Sequence, residues 1–178
     1  FRRFWRRFHL TKILLIIGLG FSLLTGGYLF YLAKTTNVKD LQNALKATTI
    51  IYDKNGDQAG SLTGQKGTYV ELDAISENLQ NAVVATEDRS FYKNSGINYG
   101  RFFLAILTLG RSGGGSTITQ QLAKNAYLSQ DQTVERKAKE FFLALEINKK
   151  YSKKEILTMY LNNAYFGNGV WGIEDASK

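Results

Sequence analysis

Residues 13 to 33 read ILLIIGLGFSLLTGGYLFYLA, a run without a charge. Its length matches the ~20 residues needed to span a bilayer as a helix. Residues 34–47 turn polar, with Val38, Leu41 and Leu45 at helical spacing, which predicts a short stalk helix. Ile50, Ile51 and Tyr52 are β-prone, Asn55-Gly56 is a hairpin signal, and Tyr69-Val70-Glu71-Leu72 predicts a further strand. Residues 48–72 therefore read as a small β element. Beyond it the apolar period becomes helical. Helices are predicted from a Ser76 cap to about Asp88, and over 98–109, 117–128, 133–150 and 152–165. The stretch GRSGGG at 110–115 is a flexible break, and Gly167, Gly169 and Gly172 end the last of these helices. Residues 173–178 open another. The pattern predicts a mainly α fold, with a basic tail (1–12), a transmembrane helix (13–33), a stalk with a small β element (34–75) and a helical domain (76–178).

Composition narrows the chemistry. The chain has 178 residues, 44% of them hydrophobic, which is enough for a packed core. It has no cysteine, so disulfides, thiolate metal sites and cysteine nucleophiles are excluded. The single histidine, His9, excludes sites that need two. The net charge is +8, but the first 33 residues hold Arg2, Arg3, Arg6, Arg7 and Lys12 and no acid. With the excess at one end, a nucleic-acid partner is not expected. The basic cluster, interleaved with Phe4, Trp5 and Phe8, and Tyr28 and Tyr31 on the far side predict a cytoplasmic N-terminus and an external domain. A cleaved signal peptide is the alternative, but the apolar run is long for one and no A-x-A-like site follows closely.

Two glutamates stand out. Glu87 ends its predicted helix above Val83 and Val84, and both the apolar floor and the negative helix end favour a raised pKa, suited to a general base. The alternative is a surface glutamate beside Asp88 and Arg89. Glu140 has Arg136 at i−4 and Lys137 at i−3, so it is expected to stay ionised, a quarter-turn or more from a buried stripe of Val134, Ala138, Phe141 and Leu145. Its alternative is a solvated helix face with an ordinary ion pair. Carboxylates with pKa values pushed apart suit glycosyl chemistry. Gly113-Gly114-Gly115-Ser116-Thr117-Ile118-Thr119-Gln120-Gln121 places free N–H groups at a helix start, an anion site for pyrophosphate or carboxylate, with Lys124 two turns on. The alternative is a flexible loop with a capping serine. Ser90-Phe91-Tyr92-Lys93 fits S-x-x-K but lacks its companion motifs and falls at a helix end, so the match reads as chance.

In order, four segments resemble the family 51 glycosyltransferase domain of class A penicillin-binding proteins and monofunctional peptidoglycan glycosyltransferases. They are Glu87-Asp88-Arg89-Ser90-Phe91-Tyr92 with Gly96, then Gly115 to Gln121, then Arg136-Lys137-Ala138-Lys139-Glu140, then Lys154 to Asn162. Asn94 stands where the family usually has histidine, Gln132 lies near where some members carry a phosphate-contacting arginine, and the family's arginine-led fifth motif is absent. The chain is therefore expected to be the N-terminal part of a larger protein with an incomplete catalytic domain, inactive by itself.

The resemblance implies a lysozyme-like helical fold and polymerisation of lipid II into glycan strands in cell-wall biogenesis, with inversion and release of undecaprenyl pyrophosphate. It implies Glu87 as general base and Glu140 on the donor side. Ser116, Thr117, Gln120, Gln121, Lys124, Arg136, Lys137, Lys139 and Asn162 would bind substrate. The expected partners are lipid II, the nascent glycan strand, membrane lipids and other cell-wall synthesis proteins. No cofactor is required by the reading, which leaves room for a divalent cation, Mg or Mn. The apolar run Phe102 to Leu109 is either a core helix or a contact with the outer leaflet. The rival functions are a lysozyme-like hydrolase or lytic transglycosylase and a non-catalytic anchored scaffold.

Overall fold

The computed structural model describes residues 10–35, 38, 48–63, 67–107, 115–128 and 133–178. Residues 1–9 of the basic tail, most of the stalk (36–37 and 39–47), most of GRSGGG and Gln132 lie outside the described residues. The chain forms two compact units, residues 1–36 and 37–178. The first holds α1 (Leu10–Thr35), a helix of 26 residues. At 1.5 Å per residue it is about 39 Å long, long and apolar enough to cross a membrane. Its apolar side chains, Leu15, Ile16, Phe21 and Leu24 among them, are exposed, which fits an anchor.

The second unit opens with an antiparallel hairpin of β1 (Thr48–Tyr52) and β2 (Gln58–Thr63). The Asn55-Gly56 turn is where the sequence places it. Gly56 has φ +88°, and the Asp53 carboxylate accepts the Asn55 and Asp57 amides at 2.8 and 2.9 Å. Those bonds, that of Asp57 first, hold the Asp53 carboxyl below its ordinary range. The expected strand at 69–72 does not form. Asn162 takes the place of a neighbouring strand. Its side chain accepts from the Val70 N–H and donates to the Val70 carbonyl, each at 2.8 Å. A 3-10 turn follows at Leu72–Ala74.

Helices make up the rest. They are α2 (Glu77–Glu87), α3 (Tyr99–Leu107), α4 (Ile118–Tyr127), α5 (Val134–Lys150), α6 (Lys153–Asn163) and the short α7 (Ile173–Ala176). Ser76, Thr117, Thr133 and Ser152 cap four of them through side-chain oxygens. At α4 the cap is Thr117 and not Ser116, in a capping box with Gln120. The glycines after α6 do more than end it. Asn168 (φ +48°) and Gly169 (φ +80°) turn the chain between β3 (Tyr165–Gly167) and β4 (Val170–Trp171).

The core lies where α4, α5 and α6 meet. Ile156, Leu157, Met159 and Leu161 of α6 are fully buried, with Ile118 and Leu122 of α4, Ile147 of α5 and Phe91. A helix buried on several faces must be apolar on several faces, and α6 is. On α5 the expected stripe is wrong. Glu140, Leu143, Ala144 and Ile147 are buried, whereas Val134 is 89% exposed. Phe141 lies at the margin, its ring 5.2 Å from that of Phe102 on α3.

Gly96 fixes the approach of the 88–98 turn to α5. It has φ +94°, and a Cβ there would sit 2.6 Å from the Ala144 carbonyl oxygen. Gly96→Ala is expected to cost about 2 kcal/mol or more, because left-handed strain adds to a backbone clash. A lower denaturant midpoint by circular dichroism would show it.

Candidate active site

Helix α2 carries Glu87 to its last position, where the chain breaks into the turn held by Asp88. Glu87 lines an open cavity of about 390 Å³ with Val83, Gln121, Tyr160, Tyr165 and Phe166. Gln121 of α4 donates from Nε2 to Glu87 Oε2 at 2.7 Å. Tyr160 of α6 donates its hydroxyl to Gln121 Oε1 at 3.1 Å. Burial, then the Glu87 charge, push the Tyr160 phenol up to about 12, so it is a neutral donor at any working pH. A second cavity, about 510 Å³, shares Gln121, Tyr160, Ala164 and Tyr165 and adds Lys124, Asn125 and Trp171. One open region thus has a carboxylate on one side and a lysine on the other.

Glu140 is placed differently. Only 2% of its surface is exposed, which removes the solvated-face reading. Arg136 donates to Oε2 at 2.6 Å, Lys137 and Gln120 donate to Oε1, the latter at 3.3 Å, and Lys137 also reaches Ser116 Oγ at 2.8 Å. Both carboxylate oxygens are therefore engaged, one by Arg136 and the other by Lys137. Lys139 lies on the exposed side and pairs with Glu135 at 2.7 Å.

Three residues expected to bind substrate are buried instead: Thr117, Gln120 and Asn162 are 0–1% exposed. Thr117 donates to the Gly96 carbonyl at 2.6 Å, Gln120 joins the cap to Glu140, and Asn162 holds Val70. They have almost no surface to offer a ligand, and their bonds place their neighbours. At the start of α4 two of the expected free N–H groups are engaged within the chain, that of Gln120 by Thr117 Oγ1 at 3.1 Å. The Ile118 N–H donates to Asp88 Oδ2 at 3.3 Å.

Asp88 was not singled out by the sequence, yet it organises the first segment. It is 2% exposed and accepts from Ser90 N–H and Oγ and from Asn94 Nδ2, the last at 2.9 Å. Asn94, at the histidine position, also accepts from Lys153 Nζ at 3.2 Å and from the Gly96 amide at 3.0 Å. Lys153 lies 4.7 Å over the Phe91 ring. Burial lowers its pKa, partly offset by Asp88. Ser90 is held within this network: its hydroxyl donates to Asp88 Oδ1 and accepts from Asn98 Nδ2, each at 2.9 Å. Adjacency to Glu87 was the available signal for Asp88. For Tyr160 it was only membership of the fourth segment.

Among the described residues, no group of three or more His, Asp or Glu side chains is placed to hold a metal ion. Glu140 has both oxygens engaged by cations, whereas Glu87 has one engaged by Gln121.

A family model described as transglycosylase matches residues 55–178. Penicillin-binding protein 2a of Streptococcus pneumoniae is 80% identical over 177 residues, 99% of this chain and 24% of the relative. Penicillin-binding protein 1A of Aquifex aeolicus is 40% identical over 172 residues, 92% of this chain and 24% of the relative. Penicillin-binding protein 1F of Bacillus subtilis is 40% identical over 172 residues, 94% of this chain and 23% of the relative. The chain thus spans about a quarter of the length of the curated relatives it matches. Because the model covers most of the chain from the β1–β2 turn onward, the chain belongs to the transglycosylases, the family 51 glycosyltransferases.

Proposed function

We propose that this domain is a peptidoglycan glycosyltransferase that polymerises lipid II into glycan strands. Glu87 removes the proton from the sugar 4-hydroxyl of the incoming lipid II. That oxygen bonds to the anomeric carbon of the growing strand from the face opposite its leaving group. The bond from that carbon to the pyrophosphate oxygen breaks, the anomeric centre inverts, and undecaprenyl pyrophosphate departs. Lys124, Arg136, Lys137 and Lys139, with Ser116 and Gln121, are the groups with charge or surface for the pyrophosphate and sugar oxygens. Gln120 supports this cluster through Glu140, whereas Thr117 and Asn162 act on the backbone at Gly96 and Val70. With α1 as an anchor, N-terminus inside and domain outside, enzyme and lipid-linked substrates share one membrane.

The observation that carries this reading is the unlike setting of the two carboxylates. Glu87 opens onto a cavity with one neutral donor on it. Glu140 is buried with one oxygen taken by Arg136 and the other by Lys137, which leaves no free carboxylate oxygen to meet a substrate. A hydrolase that relies on a pair of proton-transferring carboxylates fits this less well.

The test supplies the full-length protein, in detergent, with lipid II and separately with finished peptidoglycan. Long glycan from the first and no soluble fragments from the second are expected. Fragments without polymer would establish the hydrolase, and neither product would establish a scaffold.

A further inference from the structure

We infer that Tyr160 is a positioning residue that acts through the Gln121 amide to hold one oxygen of Glu87, leaving the other to take the substrate proton. The inference rests on the proposal that Glu87 is the general base.

The directions of the hydrogen bonds carry the argument. Tyr160, on α6, is 7% exposed and donates to Gln121 Oε1. An amide that accepts on its oxygen must present its nitrogen the other way. That nitrogen meets Glu87 Oε2 at 2.7 Å. Turned over, the amide would set its oxygen against the carboxylate and its nitrogen against a phenol that could only accept. A phenol raised to about 12 does not ionise to rescue that arrangement. The donor chain therefore runs one way, from α6 through α4 to the end of α2. Among the described residues, Glu87 Oε1 has no hydrogen-bond partner, and the carboxylate lines the 390 Å³ cavity. The charged or titratable groups around that space are Tyr160 from α6, Tyr165 from β3 and, in the adjoining cavity, Lys124 from α4. None of these is hydrogen-bonded to Glu87, so Gln121 is its direct link to the surrounding helices.

Tyr160→Phe keeps the buried ring and removes only the hydroxyl. Free to turn, the Gln121 amide would donate to Glu87 only part of the time. A carboxylate that loses a donor to its charged form is harder to ionise. The measurement is the pH dependence of lipid II polymerisation by the full-length protein. Tyr160→Phe is expected to lower kcat about tenfold, leave KM for lipid II nearly unchanged, and move the acid limb of kcat/KM up by roughly half a pH unit. In a Gln121→Met background, Tyr160→Phe should have no further effect, since the chain is already cut. An acid limb that stays put in a folded Tyr160→Phe protein, or a full additional loss in the Gln121→Met background, would overturn the inference while leaving Glu87 as base. Activity in Glu87→Gln would instead remove the base reading and this inference with it.

Discussion

Glu87→Gln stops glycan polymerisation and leaves the domain folded. The exchange keeps the shape of the side chain and replaces a basic oxygen with an amide. The 2.7 Å bond from Gln121 survives, because an amide oxygen also accepts, so the α2–α4 contact is retained. Lost is the lone pair that takes the proton from the acceptor hydroxyl. Removing a positioned base costs about 10²–10⁴-fold in rate. The polymerisation rate of the full-length protein should fall by that factor. Its thermal midpoint should shift by no more than an ordinary surface exchange does, within about 0.5 kcal/mol. Near-normal polymer yield would remove Glu87 from the base role.

Much of this arrangement could be read from the chain, for stated physical reasons. The helices that carry the site were legible because their apolar positions keep the helical period and capping residues such as Ser76 precede them. Glu87 was legible because a carboxylate above Val83 and Val84 at a helix end is unusual. What could not be read depends on neighbours distant in sequence. The buried face of α5 was misplaced because the apolar-polar pattern puts a glutamate outside. Glu140 goes inside because Arg136, Lys137 and Gln120 meet it there, and Gln120 comes from another helix. Asn162 is expected, from the family resemblance, to bind substrate, and nothing near it in sequence points to its buried role. Its partner, Val70, is 92 residues away, and their bonds replace the strand that β-propensity suggested. The β3–β4 hairpin was hidden by reading three glycines as a helix stop, although Asn168-Gly169 carries the same turn signal as Asn55-Gly56. Tyr160 stood out only as a member of the fourth segment, and nothing local says that its hydroxyl meets Gln121.

Glu140 is expected to respond in the opposite sense to Glu87. Its carboxylate is 2% exposed, and Arg136, with a side chain 14% exposed, is the cation of the two less able to turn to water. Glu140→Gln leaves that guanidinium without its counter-charge inside the domain. Breaking a buried pair from one side costs about 3–5 kcal/mol. The lower end applies here, because the Lys137 side chain is 39% exposed and can turn outward. A loss near 3 kcal/mol is a large share of the ~5–15 kcal/mol that holds a domain together, so the denaturant midpoint should drop well below that of Glu87→Gln. The double variant Arg136→Met with Glu140→Leu tests why the pair exists. Apolar replacement of a buried ion pair is often neutral or stabilising, so the double variant should regain much of the midpoint. It should not regain polymerisation, because the cationic cluster around Lys137 and Ser116 has lost the anion that arranges it. If stability and activity return together, the pair serves packing alone. If Glu140→Gln unfolds where the parent does, the carboxylate is not buried between two cations.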